Sequence, residues 1–248
     1  MDLRNLRDLP SLRNRMKFAQ LRPRIRLLIL DLDGTLIDSK TDLALSVNAT
    51  LRHLGRRPLD DETISSYVGQ GAEALIARAI GDGVTMEEVD RGLYFFLDYY
   101  RRHKLDNTTL YPGVRESLAR LANGPEKPIL AILTNKPVRV SREILDELDL
   151  LPLFRFVYGG NSFENKKPDP VGVHALLGET GVPPREAMIV GDSDVDIATG
   201  ANGGIWTCGV TYGFGTLALD SNPPDLVVDS LPELADALMD VMEHEPKR

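Results

Sequence analysis

Asp31 and Asp33 stand two residues apart at the end of an apolar run, Leu27-Leu28-Ile29-Leu30, and are followed by Gly34-Thr35-Leu36. A continuous apolar run that stops at a polar turn reads as a strand buried on both faces, as in a parallel sheet. Residues at i and i+2 leave a strand on the same side, so both carboxylates would face the crevice beyond its carboxyl end, where open α/β sheets bind ligands. Two like charges held that close need a cation. Mg²⁺ is the hard, oxygen-seeking one, usually held by one or two carboxylates together with a phosphate. A carboxylate, ionised at neutral pH, is also a nucleophile toward phosphorus. Asp31 suits that attacking role. Asp33 suits a general acid that protonates a leaving alkoxide and then, as a base, takes a proton from water. Gly34 lets the chain turn tightly beside the ligand. Asp-Gly after an apolar run is by itself an ordinary turn signal, so companion motifs must decide.

The companions are present. Thr134 and Asn135 follow a second apolar run, Ile129–Leu133, and offer a hydroxyl and an amide that can donate to phosphoryl oxygens. Lys167 supplies a point charge for a transferring phosphoryl group, on a loop stiffened by Pro168 and Pro170. Asp192 and Asp196 follow the apolar run Ala187–Val190 and make a second acidic cluster able to join a Mg²⁺ held by Asp31 and Asp33; Asp194, between them, suits a helix cap. Acidic clusters, a donor pair and a lysine, all on strand ends, fit together as phosphoryl-transfer chemistry.

These residues need elements to carry them. Leu43, Val47, Leu51 and Leu54 recur at the helical period after a start at Asp38 or Ser39 and before a stop at Gly55. Helices follow around Asp61–Val68, Ala72–Ile80 and Met86–His103, with no strand-like alternation among them. Residues 40–109 are therefore expected to be an inserted all-helical cap, hinged near Asp38 and Tyr111-Pro112-Gly113. From Leu110 onward strands alternate with helices, which predicts βαβ units and a parallel sheet. The expected fold is α/β, a Rossmann-like parallel-sheet core of residues 25–39 and 110–248 with the small helical cap inserted. Residues 1–24 alternate leucine with arginine and are expected to be a frayed or loosely docked basic arm. In the cap, Gly69 and Gly71 would let backbone amides approach a ligand, and Arg78 could hold a substrate carboxylate in bidentate fashion.

The whole chain narrows the partners. Its 248 residues can bury a full core, and 42% hydrophobic with 27% charged residues is a soluble, globular composition. A net charge of -8 argues against nucleic acid, while a small phosphorylated metabolite bound through a cation remains compatible. Cys208 is the only cysteine, so no intrachain disulfide can form, which suits a reducing cytoplasm. No apolar run approaches the roughly 20 residues that span a bilayer, and there is no signal-peptide core. The expected protein is cytoplasmic, off the membrane, and a monomer or homodimer.

The motifs Asp31-Leu32-Asp33-Gly34-Thr35, Thr134-Asn135, Lys167-Pro168 and Gly191-Asp192-Ser193 with Asp196 resemble, in order, the four motifs of the haloacid dehalogenase superfamily. That resemblance implies that Asp31 is nucleophile and metal ligand, Asp33 the acid/base and a ligand through its backbone carbonyl, Asp192 the third protein ligand, and Asp196 a support nearby. It also implies a small helical cap between the first two motifs. Within the superfamily the stretches Tyr67–Leu75 with Arg78, Tyr111-Pro112-Gly113-Val114, Leu133–Pro137 and Val210-Thr211-Tyr212-Gly213 look like the phosphoglycolate phosphatase group. The expected activity is a Mg²⁺-dependent phosphomonoesterase working through an aspartyl-phosphate, on 2-phosphoglycolate or a similar small ester. A phosphosugar mutase of the same superfamily and a non-catalytic phosphate-binding module are the alternatives.

Overall fold

The computed structural model of the chain describes residues 18, 20, 21, 23–124 and 127–243. Most of the expected basic arm lies outside the described residues. Of what is described there, Phe18 is buried, edge-on to Trp206 with ring centroids 5.5 Å apart.

The chain runs through β1 (Leu27–Leu30), β2 (Ile37–Asp38), α1 (Lys40–His53), α2 (Asp61–Ser66), α3 (Ala72–Ile80) and α4 (Met86–His103). It continues with β3 (Thr109–Leu110), α5 (Val114–Asn123), β4 (Ile129–Leu133), α6 (Val138–Glu147), β5 (Phe156–Tyr158) and α7 (Val171–Thr180). β6 (Ala187–Gly191), α8 (Asp194–Gly203), β7 (Trp206–Val210), β8 (Leu226–Val228) and α9 (Leu231–Glu243) complete it. Six strands form a parallel sheet in the order β5-β4-β1-β6-β7-β8. All four residues of β1 are fully buried, because the sheet is covered on both faces. Leu28, Leu30, Ile132 and Val190 point into the larger core on one face, and Leu27, Ile29, Ala131 and Ile189 into a smaller core on the other. This is the α/β parallel-sheet core with flanking helices that the alternation predicts.

The sheet positions a site through its topology. From β1 the chain reaches β4 on one side and later β6 on the other, so β1 is where the strand order reverses, and ligands bind beyond the carboxyl ends of strands at such a point. In register, Leu30 stands beside both Ile132 and Val190, so the polar residues that follow these three strands emerge at one level.

Two local features differ from the sequence expectation. β2 and β3 pair antiparallel, Ile37 with Leu110 and Asp38 with Thr109, which lays the two chain crossings between core and cap side by side. A two-residue strand carries no periodicity and cannot be read from the sequence. α8 has Ser193, not Asp194, at its cap: Asp194 is its first residue, and Ser193 and Asp196 form the capping box.

The cap is a packed helical unit in which α1 and α3 both lie against α4. Gly92 in α4 allows this approach, since a side-chain carbon there would meet Ile80 Cδ1 at 3.0 Å and Ile76 Cγ2 at 3.1 Å. Near the crossings, Asp42 in the first turn of α1 is buried and acts as a clasp. It accepts from Asn107 N (3.0 Å) and Nδ2 (2.8 Å) and from Thr108 N (2.8 Å) and Oγ1 (2.7 Å). Burial alone would raise the Asp42 carboxyl, and the hydrogen bonds from Asn107 and Thr108 outweigh it, holding the group below the usual carboxylate range.

A depressed folded-state pKa contributes stability that is present above the unfolded value and lost as pH falls. Asp42→Asn is expected to lower the unfolding free energy by about 2 kcal/mol at neutral pH. The gap from wild type should close as the pH drops below about 4. Urea unfolding of both proteins across this range checks it; a gap that persists undiminished at low pH would contradict the clasp.

Candidate active site

β1 delivers the first carboxylates. Asp31 N donates to Val190 O at 3.0 Å, so the strand geometry carries one residue beyond β1, and then Gly34 N turns back onto Ile37 O at 2.9 Å. Gly34 has φ +79°, and a side-chain carbon there would collide with the carboxylate of Asp192. The turn after β1 must therefore be glycine for the carboxylate arriving from β6 to come close.

Asp31, Asp192 and Asp196 each place a carboxylate oxygen within 4.8 Å of the others. Lys167 enters this cluster from its loop, with Nζ 2.6 Å from Asp196 Oδ1 and 2.9 Å from Asp31 Oδ1. The remaining bonds separate the three acids. Asp196 Oδ2 accepts from Ser193 N and Oγ, so both its oxygens are engaged. Asp192 Oδ2 accepts from Phe214 N at 3.0 Å and Gly215 N at 2.7 Å. Asp31 Oδ1 is buried, and the Lys167 ammonium 2.9 Å away is its polar partner.

Three carboxylates crowd one ammonium, and their mutual repulsion shows in their protonation. Burial, with the Lys167 ammonium opposing and Asp196 adding, lifts the Asp31 carboxyl to about 6. Burial, then the charges of Asp196 and Asp31, lifts Asp192 to about 8. Burial would lower Lys167, but Asp196 and Asp31 outweigh it and raise it above its usual value. Oxygen-only donors from crowded, buried carboxylates whose ionised forms want more positive charge than Lys167 supplies are what a small divalent cation fits.

Asp33 faces a different partner. Lys136 Nζ donates to Asp33 Oδ1 (2.8 Å) and Oδ2 (2.9 Å), and Ser39 Oγ donates to Asp33 Oδ1 at 2.5 Å. Ser39 is the N-cap residue of α1 yet makes no capping bond with its side chain, which serves Asp33 instead. Lys136 and Tyr100 were not singled out by sequence reasoning as site residues. Lys136 was visible only as the residue after Thr134-Asn135, and Tyr100 as one more apolar position of a cap helix.

The donor pair divides. Thr134 is buried, and its Oγ accepts from Lys136 N at 3.3 Å, leaving its own proton available. The Asn135 amide donates to Gly69 O (2.8 Å) and Lys167 O (3.0 Å) and accepts from Lys167 N (2.9 Å). It thus clamps the lysine loop to the core and the cap to both, and its two hydrogens are already used. A cavity of about 70 Å³ lies above Asp31, Asp33 and Asp192, with Gly69, Gly71, Leu75, Phe96 and Tyr100 of the cap facing Thr134, Asn135 and Lys136. Arg78 does not line it. It donates to Gln70 Oε1 at 2.6 Å instead.

Fold and site together define a phosphoryl-transfer type of α/β protein, and the chain belongs to the haloacid dehalogenase-like hydrolases, whose family pattern it matches over residues 28–210. It is 39% identical to the phosphoglycolate phosphatase of Pseudomonas putida KT2440 over 214 residues, 83% of this chain and 77% of that one. It is 38% identical to the phosphoglycolate phosphatase of Chromobacterium violaceum, covering 86% of this chain and 96% of the relative. A crystal structure described as a predicted phosphoglycolate phosphatase from Haemophilus somnus 129PT superposes with a TM-score of 0.80 at 32% identity, covering 87% of this chain and 97% of that one.

Removing Lys167 would leave the buried carboxylates with no cation. Lys167→Met is expected to destabilise the fold by about 3 kcal/mol, the scale for breaking a buried ion pair from one side, with Mg²⁺ restoring part of the loss. Urea unfolding with and without Mg²⁺ measures both, and wild-type stability without the ion would contradict this account.

Proposed function

We propose that the protein is a Mg²⁺-dependent phosphomonoesterase that acts through an aspartyl-phosphate on Asp31, with 2-phosphoglycolate or a similar small ester as substrate. The observation that carries the reading is the buried Asp31 carboxylate at the sheet's switch point, 2.9 Å from the Lys167 ammonium and within 4.8 Å of Asp192 and Asp196. Asp31 and Asp192, with the backbone carbonyl of Asp33, would hold the ion. Asp196, engaged by Lys167 and Ser193, anchors the lysine beside them. When bound, Mg²⁺ would neutralise charge on the phosphoryl oxygens and on the carboxylates that face them.

In the first step a carboxylate oxygen of Asp31 forms a bond to phosphorus as the ester P–O bond breaks, and Asp33 gives its proton to the departing alkoxide. In the second, water attacks the phosphorus, Asp33 takes its proton, and the bond to Asp31 breaks to release inorganic phosphate. Lys167 and the Thr134 hydroxyl stabilise the phosphoryl oxygens throughout. The small cavity beneath the cap and the phosphoglycolate phosphatases among the relatives support the choice of substrate. The absence of a membrane-crossing helix among the described residues is compatible with a cytoplasmic enzyme.

The test is phosphate release from a panel of small esters including 2-phosphoglycolate and sugar phosphates, with Mg²⁺ and then with EDTA. Release should favour 2-phosphoglycolate and fall to background in EDTA. Asp31→Asn should abolish turnover with the fold unchanged by circular dichroism, the substitution being nearly isosteric. Turnover at the wild-type rate in that variant would sink the mechanism, and preference for another ester would replace the substrate.

A further inference from the structure

We propose that Tyr100 and Lys136 are a positioning pair through which the cap sets the carboxylate of Asp33; the proposal rests on the acid/base role given to Asp33 above. Lys136 is buried and borders the cavity, so its charge looks at first like a substrate contact. Its bonds say otherwise. An ammonium has three hydrogens, and Nζ directs them to Asp33 Oδ1 (2.8 Å), Asp33 Oδ2 (2.9 Å) and Tyr100 Oη (2.8 Å). None is left for a ligand. A carboxylate gripped on both oxygens by one lysine, and on one of them by Ser39, has its rotation fixed. A group that passes protons needs that, because the oxygen that gives and takes the proton must lie within hydrogen-bond reach of the leaving oxygen and of the attacking water.

Tyr100 joins this arrangement to the cap. It sits one turn before the end of α4, its ring stacked on Phe96 with centroids 5.6 Å apart and lying 4.5 Å from Lys136 Nζ. The same end of the helix is fastened to the core helix α6. Arg101 Nε lies 3.4 Å from Glu143 Oε1, and Lys104 Nζ 2.7 Å from Glu147 Oε1. The Tyr100 hydroxyl is therefore held against Lys136 by the cap's own attachment. A phenylalanine would pack the same space. The hydroxyl is buried where an unbonded polar group is costly, and Lys136 is the partner that satisfies it.

The full-length protein with Mg²⁺, assayed on 2-phosphoglycolate and p-nitrophenyl phosphate, decides it. Lys136→Met should lower kcat by about 10- to 100-fold with KM changed less than about twofold, the scale for supporting residues around a reactive group. Lys136→Arg should recover part of the loss. Tyr100→Phe, which keeps the ring and its packing, should lower kcat by about 3- to 10-fold by the same reasoning. In an Asp33→Asn background neither substitution should reduce the residual rate further, since groups acting as a unit are not additive. Unchanged kcat in both variants, a loss confined to KM, or equal losses with and without the Asp33 carboxylate would each overturn the pairing. Turnover by Asp33→Asn alone at the wild-type rate would instead remove the acid/base role, and the pairing with it.

Discussion

The crowding of Asp31, Asp192 and Asp196 is the constraint to which the neighbouring structure answers. Their oxygens lie within 4.8 Å of one another in a buried site with a single ammonium among them. Like charges so placed repel, and burial strengthens the repulsion. Several features make the arrangement tolerable. Backbone amides of Phe214 and Gly215 support Asp192, the Ser193 cap supports Asp196, and Asn135 holds the loop that carries Lys167. Gly34 removes the side chain that would otherwise keep Asp192 away. The parallel sheet brings these parts together because three strand ends open at one level on either side of β1.

Two aspartates two residues apart end up with unlike surroundings because each has its own lysine. Lys167 stands between Asp31 and Asp196 and divides its charge between them. Lys136 grips both oxygens of Asp33. A nucleophile needs an oxygen free to approach phosphorus, and a proton carrier needs a fixed orientation, so the proposed roles follow the pattern of bonds. Sequence spacing alone makes the two residues look alike.

What could be read from the sequence was whatever repeats or concentrates. Buried parallel strands appear as apolar runs, and the cap helices as stripes such as Leu43, Val47 and Leu51, so the α/β core and the helical insertion were both legible. The polar residues that end those runs led to the site. Features that depend on long-range pairing were not legible. The β2–β3 ladder is too short for a pattern, and the Asp42 clasp joins residues 65 and 66 positions apart. Ser39 reads as a helix cap because serine usually is one; only the fold shows its hydroxyl turned to Asp33. Arg78 reads as a carboxylate clamp from sequence, whereas in the fold it lies outside the cavity lining and is engaged by Gln70. Lys136 and Tyr100 acquire meaning only when the cap is folded onto the core.

The cap's lining also bears on whether the phosphoryl group passes to water or back to the departing molecule. Return requires that the dephosphorylated product be retained while it reorients, which needs directional bonds to its hydroxyls. Among the described residues, the cap side chains around the cavity are Leu43, Val68, Ala72, Leu75, Phe96, Leu97 and Tyr100, and the one hydroxyl among them is bonded to Lys136. An apolar lid excludes bulk water and strengthens the charges beneath it, but it offers a polyhydroxylated product little to hold. The cavity of about 70 Å³ has room for a water once the alcohol has left, since a site of roughly 10–15 Å³ on the same measure already holds one. In the proposed two-step reaction, apolar walls above a polar floor would therefore favour release of the alcohol and attack by water over return of the phosphoryl group.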